Sequence, residues 1–404
     1  MGPHAKRGRD DQGLRDWTRR VNSGAGASPA GPSVEAAHRP NSLKVDLEAI
    51  SGNAERVRQL LDPGTQLFAA VKANAYGFGL PRVAQAMLAG GADAFSMADP
   101  ADALRIRAAG IDVPLLLYGG VLPERAMGRL LAQHDLTCTV ADLDAARAWS
   151  DLACSVRAFL KIDVGLERLG VPAEQAAEFA AAACSLPGIR VEGIYTHLHG
   201  GEMPGYAAWQ LDRFDLALDG LASEGIALPV RMAESSVTIG GERRARLNAV
   251  DPGHLLYGFR PVGRSDTPAG IRPAFASLTT RVIHVKQVSR PAFAESAPAP
   301  LREGMRIAVI PLGRADGIRS LTCGEVLVRE RRVPIVGRPS LEHTRVDVTD
   351  VPDCRTGDEV VVIGRQGAEE ISFDEVAARH GLDGVGLVLE ARPTVRRVYG
   401  TTPA

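Results

Sequence analysis

From about residue 66 the chain alternates short apolar runs with longer Ala- and Leu-rich stretches of helical period. The runs LFAAVK, DAFSMA, PLLLYG, LTCTV, RAFLKID, IRVEGIYTHL, PVRMAE and LNAV start near residues 67, 94, 114, 136, 157, 189, 229 and 247 and read as eight strands. Between them lie stretches such as LPRVAQAMLAG, PADALRIRAAG, LPERAMGRLLAQ, PAEQAAEFAAAAC and YAAWQLDRFDLALDGLASEG. Their composition favours helix, and several end in Gly, a good C-terminal stop. Eight such units predict a closed parallel (β/α)8 TIM barrel. A doubly wound open sheet is the competing architecture; it needs no such regularity, and no G-x-G-x-x-G follows a first strand.

The pattern changes on either side of this region. Residues 1–40 are rich in Arg, Gly, Pro, Ser and Ala with few large apolar side chains, so ordering them costs more entropy than burial returns; a disordered N-terminal tail is expected. Its Arg-rich stretch from Arg7 to Arg20 reads as solvated. Beyond residue 271 come LTTRVIHVKQV, MRIAVIPLG, EVLVRERRVPIVG, TRVDVTDV and EVVVIG, Val- and Ile-rich alternations punctuated by Gly and Pro. These predict a mainly β domain over 272–404, after a barrel domain over 41–271; the strand-like SLKVDL near residue 42 is a candidate member of the second sheet.

Composition narrows the function. A chain of 404 residues is long enough for two cores. Lys and Arg number 47 against 48 Asp and Glu, with no basic run on a folded-looking segment, which excludes nucleic acid as the main partner and favours a small ligand. No apolar stretch points to a membrane. The five cysteines, Cys138, Cys154, Cys184, Cys323 and Cys354, show no metal-ligand spacing and no secretory leader opens the chain, so free thiols in a reducing cytoplasm and no metal are expected.

A barrel presents its reactive groups at the C-terminal ends of its strands. Those ends carry Lys72, Lys161, Asp163, His197, Glu234, Ser235 and Asp251. The last two loops, Glu234-Ser235-Ser236 and Asp251-Pro252-Gly253-His254, offer hydroxyls, backbone amides and a glycine that permits close approach, the usual place for a phosphate. Lys72 follows an apolar strand, so burial of its stem would lower its pKa and make the amine nucleophilic. A salt-bridged structural lysine is the plainer reading of Lys72 alone, as a hydrogen-bonded core imidazole is of His197. Tyr76 and Arg168 taken singly fit packing or surface roles.

At these residues the sequence resembles the alanine racemase family of fold-type III pyridoxal-phosphate (PLP) enzymes, from about Ser42 to Tyr399. VKANAYGFG, from Val71, is similar to the family's PLP-lysine motif. The resemblance implies that Lys72 carries the cofactor and acts as base on one face of the α-carbon, with Tyr76 near the phosphate. KIDVGLERLG resembles the segment whose arginine, here Arg168, bonds the cofactor's phenolic oxygen; the lysine matching Lys161 is carbamylated in some members and orients that arginine. YTHLHGGE places His197 against the pyridine ring, and Ser235, Gly253 and His254 fall at phosphate-binding positions. LGRADG and VGRPSLEHTRVDV resemble C-terminal elements that reach a neighbouring subunit's site, which implies a homodimer with shared active sites.

Five positions depart from the family pattern. Arg314 stands where the family has a catalytic tyrosine, and Asp251 where it has an arginine opposite the pyridine nitrogen. The phosphate-binding tyrosine near the C-terminus falls at Pro393, and the substrate-side Met-Asp pair at Leu341-Glu342. A carboxylate favours a protonated ring nitrogen and hence a stronger electron sink. Asp-Pro-Gly is also similar to the Glu-Pro-Gly of fold-type III decarboxylases, and His199-Gly200-Gly201 to their H-x-G-S turn. Guanidinium stays protonated, so Arg314 cannot be the second base, but it can grip a carboxylate. The expectation is a PLP-dependent racemase or epimerase acting on an amino acid other than alanine, with His254, or Glu342 or His343 of the partner subunit, as the second acid/base. A decarboxylase or aldolase using Asp251, and a non-enzymatic PLP-binding protein, are the other readings; Arg314, Asp251, Lys72 and His197 are the expected catalytic set.

Overall fold

The computed structural model describes residues 38–152, 154–200, 203, 205–239, 247–261, 267–289, 301–321 and 323–400; the expected tail over residues 1–40 lies outside them apart from its last three positions. Eight parallel strands form a closed barrel: Gln66–Ala70, Ala94–Met97, Leu115–Leu117, Leu136–Val140, Val156–Asp163, Ile189–Tyr195, Val230–Glu234 and Ala249–Val250. Each pairs with the next in sequence, and the ring closes where Val250 lies opposite Leu67. Parallel strands covered on both faces need apolar side chains on both, which is why these segments read as continuous runs. Phe68, Leu116, Phe159, Tyr195 and Met232 fill the barrel interior, each worth about 1.5–3 kcal/mol in burial. Gly193 makes room for one of them, since a Cβ there would lie 2.9 Å from the Phe159 ring.

Some of the outer helices start at side-chain caps. Asp99 accepts from the amide of Ala101 at 2.9 Å, and Asp142 from that of Ala145 at 2.7 Å. Among the described residues no helix directly follows the seventh strand. There the described residues form a turn over 236–239, in keeping with the β-branched run Val237-Thr238-Ile239. After the eighth strand the described residues form a 3-10 turn, His254–Tyr257.

The mainly β part contains a sheet ordered Arg331–Pro334, Glu325–Val328, Glu359–Gln366, Phe275–Arg281, Ser42–Asp46, Arg396–Gly400, with Glu369–Ile371 attached to Glu359–Gln366. A three-stranded sheet, His284–Gln287, Arg306–Ile310 and Thr344–Asp347, adjoins it in sequence. Ser42–Asp46 pairs antiparallel with Phe275–Arg281 and parallel with Arg396–Gly400, so this sheet draws on both ends of the described chain. Two helices interrupt the β pattern expected here, Phe373–His380 and Gly384–Glu390. The first opens on Ser372, whose hydroxyl accepts from the amide of Glu375 at 3.0 Å. Ser372-x-x-Glu375 has the spacing of a capping box, a signal that the β-rich context obscures. All five cysteines are free thiols, and among the described residues no helix is long and apolar enough to cross a membrane.

Candidate active site

A cavity of about 610 Å³ opens at the C-terminal ends of the barrel strands. It gathers Lys72, Tyr76, Lys161, Arg168, His197, Ser235, Asp251, Gly253 and His254 from the sequence-derived set. Arg314 is not among its lining residues; it is exposed on the mainly β part, as are Leu341, Glu342 and His343. Pro393 is exposed too.

Lys72 stands at the start of an unusual turn. Ala73, Asn74, Ala75 and Tyr76 all lie in the left-handed region, with φ between 53° and 55°, a conformation that costs non-glycine residues about 1–2 kcal/mol each. The surroundings compensate. The Asn74 amide donates to Asp102 at 3.2 Å, the Asn74 side chain accepts from the Leu80 amide at 3.0 Å, and the final strand adds Arg397 Nε to the Gly77 carbonyl at 2.8 Å and Tyr399 Oη to the Phe78 carbonyl at 3.2 Å. The ammonium sits 5.8 Å from the ring centroids of both Tyr76 and Tyr118. Burial lowers its pKa, Asp251 pulls it back up, and Arg168 lowers it again.

Asp251 is 6% exposed. Its Oδ2 accepts from Tyr118 Oη at 3.2 Å, while Oδ1 has no hydrogen-bond partner. Burial raises its pKa against the lowering influence of Lys161, Tyr118 and Lys72. Lys161 moves the other way: burial lowers it, and Asp251 opposes that. It makes no ion pair among the described residues, and its ammonium lies 3.9 Å from the Tyr195 ring centroid, a cation–π contact that offsets part of the desolvation. Burial, followed by the positive charges of Lys161, Lys72 and Arg168, holds His197 down to about 3, so its imidazole is neutral.

Arg168 is carried by a loop that Asp163 folds. Asp163 accepts from the amides of Gly165 at 2.7 Å, Leu166 at 2.9 Å and Arg168 at 3.0 Å. Burial alone would raise this carboxyl, but the backbone donors together keep it low and charged. Asp163 therefore shapes the site without lining it. On the opposite side Ser236 Oγ accepts from the amides of Gly253 at 3.0 Å and Leu255 at 3.3 Å, fixing the last loop. A Cβ at Gly253 would lie 2.2 Å from Tyr76 Oη, so glycine is required for that approach.

Sequence reasoning missed Tyr118 and Tyr195, which line the cavity beside Ser236 and His199, two residues the sequence had marked only within their loops. Tyr118 had a readable signal, since it ends the third apolar run, PLLLYG, where barrels place functional groups.

The residues present fit PLP: an amine of lowered pKa, a buried carboxylate oxygen lacking a partner, and a glycine-lined recess beside Tyr76 share one cavity. Models of the alanine racemase N-terminal and C-terminal domains match residues 45–261 and 275–399. An alanine racemase of Methanococcus maripaludis is 34% identical over 366 residues, covering 88% of this chain and 97% of that protein. One of Halothermothrix orenii is 31% identical over 370 residues, 89% of this chain and 97% of its own. The crystal structure of alanine racemase from Bacillus anthracis superposes with a TM-score of 0.80 at 30% identity, covering 90% of this chain and 95% of that one. A histidine racemase from Leuconostoc mesenteroides, at 22% identity and a TM-score of 0.79, has the same fold. Two domain models in order and relatives matched over nearly their whole length place this chain in the alanine racemase family.

Proposed function

We propose that this chain is a PLP-dependent amino-acid racemase or epimerase whose substrate is an amino acid other than alanine. The observation that carries the reading is the convergence of Lys72, Arg168, His197, Asp251 and His254 on one cavity at the barrel mouth. Lys72 would hold the cofactor, Tyr76, Ser235, Gly253 and His254 its phosphate, Arg168 its phenolic oxygen, His197 its ring face and Asp251 its ring nitrogen. PLP supplies an electron sink for charge at the substrate's α-carbon. Lys72, lowered by burial, takes or returns the α-proton on its own face. His197 stays neutral and so adds no charge to the ring face.

Reversal of configuration needs a second proton carrier. His254 is the candidate within this chain's cavity; Glu342 or His343 of the partner subunit are the others. We assign the chain to a cytoplasmic homodimer in which the domain over 272–404 completes the neighbouring site, with Arg314 of the partner subunit gripping a substrate carboxylate, a role its planar fork suits. The departures at Arg314, Leu341 and Glu342 support a substrate larger or more polar than alanine.

A lyase is the second reading, favoured by the unpartnered Oδ1 of Asp251: a carboxylate at the ring nitrogen strengthens the sink that decarboxylation or aldol cleavage requires. One assay separates the two. Amino acids incubated in D2O with PLP-loaded protein should gain α-deuterium and lose optical purity; release of CO2 or aldehyde without racemisation would replace the first reading by the second.

A further inference from the structure

His199 lines the cavity and has no part in the roles above. Its main chain is clamped on both sides by one buried side chain: the His199 amide donates to Gln210 Oε1 at 3.1 Å, and Gln210 Nε2 donates to the His199 carbonyl at 2.7 Å. Gln210 belongs to the helix Tyr206–Ser223 and is 0% exposed. The ring is fixed as well, packed edge-on against Tyr206 with centroids 5.2 Å apart and planes at 85°. Gly200, at φ +63°, permits this packing, since a Cβ there would lie 2.9 Å from the Tyr206 ring.

The shorter of the two Tyr206 contacts favours one tautomer of His199. Tyr206 has one hydroxyl proton, which goes to the Gly165 carbonyl at 3.2 Å. The phenol oxygen, 3.4 Å from His199 Nε2, can then only accept from that nitrogen. A neutral imidazole protonated at Nε2 leaves a bare lone pair on Nδ1. That Nδ1 is buried and has no hydrogen-bond partner. A histidine kept only for packing would ordinarily have both nitrogens satisfied, and a fixed residue in a cavity lining that carries an unsatisfied acceptor is one means by which a site selects for a donor group.

We propose that His199 is a specificity-determining residue that accepts a hydrogen bond from a donor on the substrate's side chain, so that the substrate class is amino acids bearing a side-chain hydroxyl or amide. This rests on the racemase reading and deepens it. The α-deuteration assay with near-isosteric pairs tests it: L-serine against L-2-aminobutyrate, and L-asparagine against L-leucine. The wild type should favour the donor-bearing member of at least one pair tenfold or more in kcat/KM. His199→Ala should lower that ratio at least tenfold, and Tyr206→Phe, which frees the Nε2 proton from its acceptor, should lower it less. Nitrogen-15 chemical shifts of histidine-labelled protein, with the His199 signal assigned by its loss in His199→Ala, should show an Nε2-protonated ring independently of any turnover. An Nδ1-protonated ring, a wild type without preference, or a ratio that survives His199→Ala would overturn the proposal while leaving racemisation intact. Failure of all four amino acids to exchange would instead remove the racemase reading, and this inference with it.

Discussion

Tyr118 Oη donates to Asp251 Oδ2 at 3.2 Å, so the carboxylate that lines the cavity among the described residues is oriented by a phenol at the end of the third barrel strand. Tyr118 also contacts the hydroxyl of Ser96, and burial raises its pKa, so the phenol remains a donor over the working pH range. The outcome is a carboxylate with one oxygen held by a phenol and one buried without a hydrogen-bond partner.

Lys72 should be the sole point of covalent attachment for PLP. Borohydride reduction of the loaded protein followed by peptide mapping should place the label on the peptide containing Lys72, and Lys72→Ala should take up no reducible cofactor. Labelling at Lys161, whose amine is also buried and lowered by burial, would move the reactive centre to the fifth strand.

His197 makes the acid limb of stability measurable. Its pKa falls from 6.5 to about 3 on folding, so the unfolded chain binds the proton first and stability is lost as pH falls between those values. The linkage amounts to about 3 kcal/mol by pH 4. His197→Gln, neutral throughout, should therefore show a flatter decline in unfolding free energy between pH 7 and pH 4 when the cofactor-free proteins are compared by denaturant titration. Parallel curves would mean that the folded imidazole is not held neutral.

Barrel strands were legible because burial on both faces leaves each as an unbroken apolar run, and their C-terminal ends then pointed to Lys72, Lys161, His197 and Asp251. Tyr118 and Tyr195 escaped because an aromatic ring at the end of such a run reads as core until its hydroxyl partners are known. The left-handed turn from Ala73 to Tyr76 was not legible at all. KANAY contains no glycine, and the conformation is held by residues distant in sequence, Asp102, Arg397 and Tyr399. Asp163 was noticed as a strand-end carboxylate, but its bonds are to the backbone that carries Arg168. In the proposed homodimer the place of Arg314 relative to an active site depends on a second chain, and only the family resemblance of LGRADG, not composition or periodicity, pointed there.

Complementation tests that dependence. Lys72→Ala and Arg314→Ala should each cost most of the activity, and a mixture allowed to exchange subunits should recover part of it, because one site of each heterodimer then carries both intact residues. Exchange is checked separately by mass spectrometry of differently tagged chains. Exchange without recovery would mean that each chain builds its site alone.

The Asp251 carboxylate separates an electronic role from a local structural one. If it only capped the turn leading into Gly253, asparagine would make similar contacts and Asp251→Asn would be nearly silent. The geometry argues otherwise, since Oδ2 is held by Tyr118 and Oδ1 is unpaired inside the cavity lining. An amide presents the same shape but cannot balance a protonated ring nitrogen, so turnover should fall by about 100-fold or more, the usual cost of removing one preorganised charge-stabilising group. PLP affinity and thermal stability of the variant should change little, which distinguishes lost chemistry from lost structure. Asp251→Arg should go further in the same direction, because a guanidinium disfavours ring protonation outright. Near-normal turnover in Asp251→Asn would end the electron-sink argument. It would also withdraw the main support for a lyase.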